Sequence, residues 1–243
     1  DIPTSGSPGK PVRALRSQLT LRFWSAFTLR EHLWHRRDLR GKLAVIRNST
    51  AGQDMYPDGS RYQYWGSSRR AFDTGPCVSL NINASAAEQA EWVGRENPDY
   101  LLTHPTNLMR LARQCIEDGI ELPKLKDIQT LSEILRPDVR DICRDAWGAP
   151  IKDNYSGREV GYIALQCPDH EHYHAQSEGS LVEVVDDDRA VLARVAPRRL
   201  GGSHRRRSHQ ELCSATGHQR HGHVWHRRFP CARRRRGVHG LRA

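Results

Sequence analysis

Past residue 75, short apolar runs alternate with stretches whose apolar residues recur at helical spacing. Residues 76–82 have the length and composition of a strand, and Ser85-Ala86-Ala87-Glu88 is a capping box that predicts a helix to about Arg95. Residues 99–103 predict a strand, after which Pro105 sits where a first helical turn tolerates proline. In the helix it opens, Leu108, Leu111, Ala112, Cys115 and Ile116 follow an i, i+3, i+4, i+7, i+8 spacing, and Gly119 is placed to end it. That stripe assigns Cys115 to packing and not to a ligand set. Strands are predicted at 126–131, 150–153, 162–165 and 181–186, with a helix over 137–147.

Strand, helix and strand joined by short connections predict an α/β fold with a mainly parallel sheet flanked by helices. Upstream, Leu15, Leu19, Phe23, Ala26, Phe27 and Leu33 predict a helix across 12–37 with an apolar face, and residues 42–46 a strand. Residues 54–72, rich in Gly, Ser, Tyr and Arg, read as a long irregular excursion. Trp24, Trp34, Trp65, Trp92 and Trp147 are expected as core or half-buried anchors.

A net charge of +10 over 243 residues would ordinarily point to nucleic acid, but the charge is localised. Residues 1–195 hold 25 Lys and Arg against 27 Asp and Glu, whereas residues 196–243 hold 13 Arg, no Lys and one acid, Glu211. That tail carries seven of the thirteen histidines and no hydrophobic period, and is expected to be a disordered basic segment. Arginine without lysine is what GC-rich coding DNA gives when read out of frame, so a frameshift near residues 189–198 is expected. The six cysteines are scattered, which predicts reduced thiols and a cytoplasmic protein. No stretch reaches the roughly 18 apolar residues of a spanning helix, so no membrane partner is expected. The chain opens on Asp1-Ile2-Pro3, with no strand expected ahead of residue 4, and further sequence upstream is expected.

Two stretches carry chemistry. Thr4-Ser5-Gly6-Ser7-Pro8-Gly9-Lys10-Pro11 combines glycines, which let successive N–H groups converge, with hydroxyl donors and a cation, as a phosphate nest needs. A flexible linker has the same composition. Asn154-Tyr155-Ser156-Gly157-Arg158-Glu159-Val160-Gly161 follows a predicted strand of the parallel sheet, where ligands of such sheets bind. There an aromatic ring can stack on a base while a carboxylate four residues later holds Mg²⁺.

Taken together, the two stretches resemble the phosphate loop and the Y-[GS]-x-[TS]-E segment of adenylate-forming enzymes. The run from Tyr155 to Ala164, then Cys167-Pro168, His172-Tyr173-His174 and Leu181-Val182-Glu183-Val184-Val185-Asp186 is most similar to the phenylacetate–coenzyme A ligase-like, capsular-biosynthesis-type branch. Thr130-Leu131-Ser132-Glu133 with Leu135 and Arg140 looks like that family's approach to the nucleotide loop. The resemblance covers roughly residues 1–195 and implies part of the large N-terminal adenylation domain, with 196–243 outside it.

It further implies that Thr4, Ser5, Gly6, Ser7, Gly9 and Lys10 cradle the ATP phosphates, that Tyr155 and Ser156 border the nucleotide, and that Glu159 coordinates Mg²⁺. Arg158 stands where a Thr or Ser commonly meets the α-phosphate. Phe72, Cys77 and Asn81 would border the acyl pocket. The implied activity is ATP-dependent activation of a carboxylic, aryl acid to an acyl-adenylate, then transfer to coenzyme A. Neither the ribose-binding R-Y-x-x-G-D segment nor the lysine of the C-terminal lid has a match in the chain, so an inactive truncated relative is the alternative. A third reading makes the arginines of 196–243 a sequence-blind nucleic-acid arm.

Cys167, His172 and His174, with His170 between them, supply donors suited to zinc within eight residues. A surface histidine cluster on a hairpin is the plainer reading of the same residues.

Overall fold

The computed structural model describes residues 2–3, 13–14, 17–66, 72–157, 160–185 and 191–195, with side chains described over 17–66, 72–157 and 160–183. β1 (Ile2–Pro3) pairs antiparallel with β2 (Arg13–Ala14), so a two-residue strand does precede the glycine-rich stretch and its two ends are drawn together. Residues 4–12 themselves lie outside the described residues, as do 158–159 and 196–243.

Ser17 accepts the Thr20 N–H and starts α1 (Gln18–Trp34). β3 (Leu43–Arg47), β4 (Ser60–Tyr62) and β5 (Cys77–Asn81) follow. In α2 (Ala86–Glu96) the capping box forms as expected: Ser85 Oγ accepts the Glu88 N–H at 3.3 Å and Glu88 returns the contact to the Ser85 N–H at 2.7 Å. β6 (Tyr100–Thr103), α3 (Pro105–Glu117), β7 (Asp127–Leu131) and α4 (Pro137–Trp147) continue the alternation, both helices opening on proline. Then come β8 (Ile151–Gly157), β9 (Gly161–Gln166), β10 (Tyr173–Ala175), β11 (Val182–Val185) and β12 (Val191–Val195).

Eight strands form one sheet in the order β10-β9-β8-β7-β6-β3-β5-β4. Its middle, β8-β7-β6-β3-β5, is parallel, and antiparallel strands close both edges. The main core packs α2, α3 and α4 on one face, through Ala44, Ile46, Val78, Leu80, Leu101 and Ile128 on the strands and Trp92, Leu108, Leu111 and Cys115 on the helices. Strand residues alternate faces, so the opposite face is formed by Leu43, Val45, Cys77, Tyr100 and Leu102, with Trp65 packed on them.

α1 departs from expectation. Leu19 and Leu33 are exposed and Leu15 lies outside the described residues, whereas the buried positions are Phe27, Glu31 and His32. The reason is a charge partner on the sheet: Arg37 lies between Glu31 and Asp127, making that end of the helix polar and buried.

β8 is also longer than its sequence predicts. Tyr155↔Ala164, Ser156↔Tyr162 and Gly157↔Gly161 are ladder pairs, so residues expected in a loop belong to the strand end. Gly161 (φ +88°) makes the return; a Cβ there would sit 3.1 Å from the Trp24 ring in a conformation side chains rarely adopt.

Candidate functional site

Carboxyl ends of the five parallel strands fall along one rim of the sheet: Arg47, Asn81, Thr103, Leu131 and the end of β8. β3 has β5 on one side and β6 on the other, so the chain reverses its winding there, a place where open α/β sheets leave a crevice. Arg47 is exposed at that crevice, a cation the motif reading passed over because it closes an ordinary apolar strand. His104 Nδ1 lies 3.1 Å from the Leu131 carbonyl, joining the rims of β6 and β7. Glu133 is committed to fold, accepting the Thr106 N–H at 2.9 Å at the start of α3. Ser132, between Leu131 and Glu133, has φ +68°.

Tyr155 stands exposed at the same rim, at the end of β8, and Ser156 is half-buried beside it. Directly beneath, Asp153 is buried and held from three sides. Thr130 donates to its Oδ1 at 2.7 Å, Tyr173 donates to its Oδ2, and its own N–H donates to Gln166 Oε1 at 2.8 Å. Arg140 of α4 reaches the Ile151 carbonyl at 2.9 Å and Gln166 Oε1 at 3.3 Å. Burial pushes the Asp153 carboxyl above its ordinary value, against the lowering effect of the Tyr173 and Thr130 hydrogen bonds.

The other end of β8 carries a separate cluster. Cys167 Sγ lies 3.7 Å from His170 Nδ1, and His172 Nε2 lies 3.2 Å from His174 Nε2. The donor atoms of Cys167, His170 and His172 all fall within 4.8 Å of one another. A hydrogen bond from the Cys167 N–H to the His172 carbonyl at 2.7 Å closes the turn between β9 and β10, and the Trp34 ring meets His174 edge-on at 5.3 Å. Lys152, near the amino end of β8, donates to the Pro168 carbonyl at 3.0 Å. The register sets Cys167 opposite Lys152, about 10 Å along the strand from Tyr155, and His174 in the row of Leu165 and Asn154.

Behind α1, Arg37 Nε donates to both Asp127 oxygens at 2.9 Å and its NH1 reaches Glu31 and His32. Burial opposes the charge on Glu31, yet Arg37, His32 and His35 hold it below its ordinary value. For Asp127 burial wins and raises it. Burial lowers His32 and His35 to about 4.

Burial raises the thiols of Cys77, Cys115 and Cys143 to about 11, 12 and 12, which excludes them as nucleophiles at neutral pH. The expected acyl-pocket trio does not assemble. Cys77 opens β5 at the end away from the rim, Phe72 is exposed, and Asn81 is engaged with Ser49 Oγ at 2.8 Å. Thr4, Ser5, Gly6, Ser7, Gly9, Lys10, Arg158 and Glu159 lie outside the described residues. Among the described residues, no helix is long and apolar enough to cross a membrane, and Cys77, Cys115, Cys143 and Cys167 are free.

No family model matches the chain, and no curated protein matches it. Solved structures do. 2-Hydroxyisobutyryl-CoA ligase in complex with 2-HIB-AMP and CoA aligns with a TM-score of 0.56 at 16% identity, over 77% of this chain and 39% of the ligase. The fold is that of adenylate-forming ligases. The anthranilate CoA ligase AuaEII, solved with anthranoyl-AMP, shares it at a TM-score of 0.52 and 17% identity, over 79% of this chain and 36% of its own. So does the amide bond synthetase McbA from Marinactinospora thermotolerans, at 0.52 and 17%, over 78% of this chain and 37% of the synthetase. The chain spans less than half the length of each of these adenylate-forming structures. The likeness belongs to the adenylate-forming fold as a whole and selects no branch within it.

Proposed function

We propose that the chain binds ATP and activates a carboxylic acid as an acyl-adenylate, in the manner its resemblance to phenylacetate–coenzyme A ligases implies. The observation that carries this reading is the placement of Tyr155 and Ser156 at the carboxyl end of β8, on the rim of a sheet with the adenylate-forming fold. In the reaction a carboxylate oxygen attacks the α-phosphorus of ATP, the bond to the β-phosphate bridge breaks, and pyrophosphate leaves. A coenzyme A thiolate then attacks the acyl carbon, and AMP leaves.

The glycine-rich stretch at residues 4–12, its ends held by the β1–β2 pair, would surround the phosphates, with Thr4, Ser5, Gly6, Ser7 and Gly9 as donors and Lys10 as the mobile cation. Tyr155 would stack on the base. Glu159 would hold Mg²⁺, which offsets charge on the phosphoryl oxygens. Arg158 would oppose the α-phosphate as a fixed cation. The reading is tested by ATP–pyrophosphate exchange with a panel of aryl acids, alongside thermal shift with ATP and Mg²⁺. Acid-dependent exchange supports it; neither exchange nor an ATP-induced shift leaves the chain as an inactive relative.

A second site is proposed at the Cys167 cluster, where the donor spacing favours a structural zinc. A tetrahedral ion about 2.3 Å from sulfur and about 2.0 Å from nitrogen sets its ligands about 3.3–3.6 Å apart. The Cys167–His170 and His172–His174 separations of 3.7 and 3.2 Å lie close to those edges. Such an ion would fasten the β9–β10 turn and act as a structural clamp.

A further inference from the structure

Cys167 and His172, two donors of the metal cluster, are chain neighbours of Gln166 and Tyr173, which pair with each other across the β9–β10 hairpin. Those two residues hold Asp153. Tyr173 donates to its Oδ2, and Gln166 Oε1 accepts its N–H at 2.8 Å. The Cys167 N–H to His172 carbonyl bond at 2.7 Å closes the turn between them. The metal donors and the grip on β8 are thus successive residues of one hairpin.

Asp153 precedes Tyr155 by two residues on β8, so both point to the same side of the strand. Beside them the register between β8 and β9 shifts: Tyr155 faces Ala164 and Ser156 faces Tyr162, which leaves Ile163 as an extra residue. A bulge of this kind re-aims the side chains next to it. Gln176, directly after β10, donates its N–H to the Ile163 carbonyl at 2.8 Å. The β10 segment therefore reaches the end of β8 at two points, the buried carboxylate beneath Tyr155 and the bulge beside it. Among the described residues β10 is a three-residue edge strand with β9 as its ladder partner, so whatever fixes the turn decides where Tyr173 sits.

We propose that a metal ion on Cys167, His170 and His172 positions Tyr155 for the nucleotide, acting through Tyr173 and Asp153. The inference rests on the adenylation reading and on the zinc site, and joins them. In the closed turn the three donors fall within 4.8 Å of one another, and that same turn brings Tyr173 onto Asp153. An ion that binds the closed turn better than an open one shifts the population toward it. Linkage makes the effect mutual: a nucleotide that favours the closed turn tightens the metal by the same factor. Tyr173 and Asp153 act as positioning residues behind the contact itself.

The test measures the affinity of the full chain for MgATP by calorimetry, first metal-free and then loaded with one equivalent of Zn²⁺, with Mg²⁺ in excess so that the nucleotide takes up no zinc. Zinc is expected to tighten MgATP at least about fivefold, and MgATP to tighten zinc by the same factor in chelator competition. In Tyr173→Phe the cobalt-substituted chain should keep the spectrum of a tetrahedral thiolate site, while the zinc effect on MgATP falls to about one. A merely structural clamp would raise the melting temperature and leave MgATP affinity unchanged. That outcome, a Tyr173→Phe chain with the full zinc effect, or a chain that takes up no zinc would each overturn the inference. If MgATP binds equally with and without zinc, only this inference falls; if it binds neither form, the adenylation reading falls with it.

Discussion

Tyr173 of β10 donates its hydroxyl to Asp153 of β8, reaching across the intervening strand β9, while Thr130 of β7 donates to the other oxygen of the same carboxylate at 2.7 Å. One buried side chain thereby ties three strands together beneath Tyr155. Burial raises the Asp153 carboxyl above its ordinary value, so its ionised form costs stability: the contribution is most favourable at low pH and worsens as pH rises through the carboxylate range. Asp153→Asn keeps partners for both hydroxyls and removes the charge, and its melting temperature at pH 7 is expected to equal or exceed that of the parent. Asp153→Ala strands both hydroxyls and should cost about 1–3 kcal/mol in urea denaturation.

Arg37 is the counter-charge for two buried carboxylates, Glu31 and Asp127. Arg37→Met approximates its volume and leaves both acids unpaired, a loss expected at about 3–5 kcal/mol. Denaturant titration at pH 7 measures it. Part of the loss should return in the triple variant Glu31→Gln, Arg37→Met, Asp127→Asn, because the uncompensated charges are then gone.

His32 and His35 are held neutral, at about 4 against an ordinary 6.5. The unfolded chain therefore binds up to two more protons between those values, so this stability is complete above about pH 6.5 and drains away as pH falls toward 4. Melting curves from pH 7.5 to 4.5 should show the fall, and the His32→Gln, His35→Gln double variant should flatten it. Asp127 and Asp153, both raised, work in the opposite direction at the acid end of that range.

Much of the sheet was legible because its elements carry strong local signals. The Ser85–Glu88 box, the prolines opening α3 and α4, and the Leu108–Cys115 stripe each specify an element through nearest neighbours along the chain. Residues whose placement depends on distant partners were not legible in this way. α1 reads as apolar on Leu19 and Leu33, yet buries Glu31 and His32 because Asp127, some ninety residues on, supplies Arg37 with a second anion. Tyr155 and Ser156 read as loop because glycine and polar residues follow them, but antiparallel pairing with β9 extends the strand through them. Gln129 and Asn154 carry no motif at all; only the register shows two buried amides on one face.

Zinc should bind the Cys167 cluster. Addition of one equivalent of Zn²⁺ to the metal-free full chain is expected to raise its melting temperature by several degrees, an effect lost in Cys167→Ser and in His172→Ala. Cobalt substitution should give the visible absorption of a tetrahedral thiolate site, and an unchanged melting curve with no cobalt spectrum would reject the site.

The most direct test of the nucleotide site is photoaffinity labelling of the full chain with 8-azido-ATP and Mg²⁺, followed by peptide mapping. The account predicts adducts on the segment containing Tyr155 and on residues 4–12, both suppressed by excess ATP and both weakened in Lys10→Ala. Labelling confined to the arginine-rich residues 196–243, or labelling that excess ATP does not suppress, would contradict it.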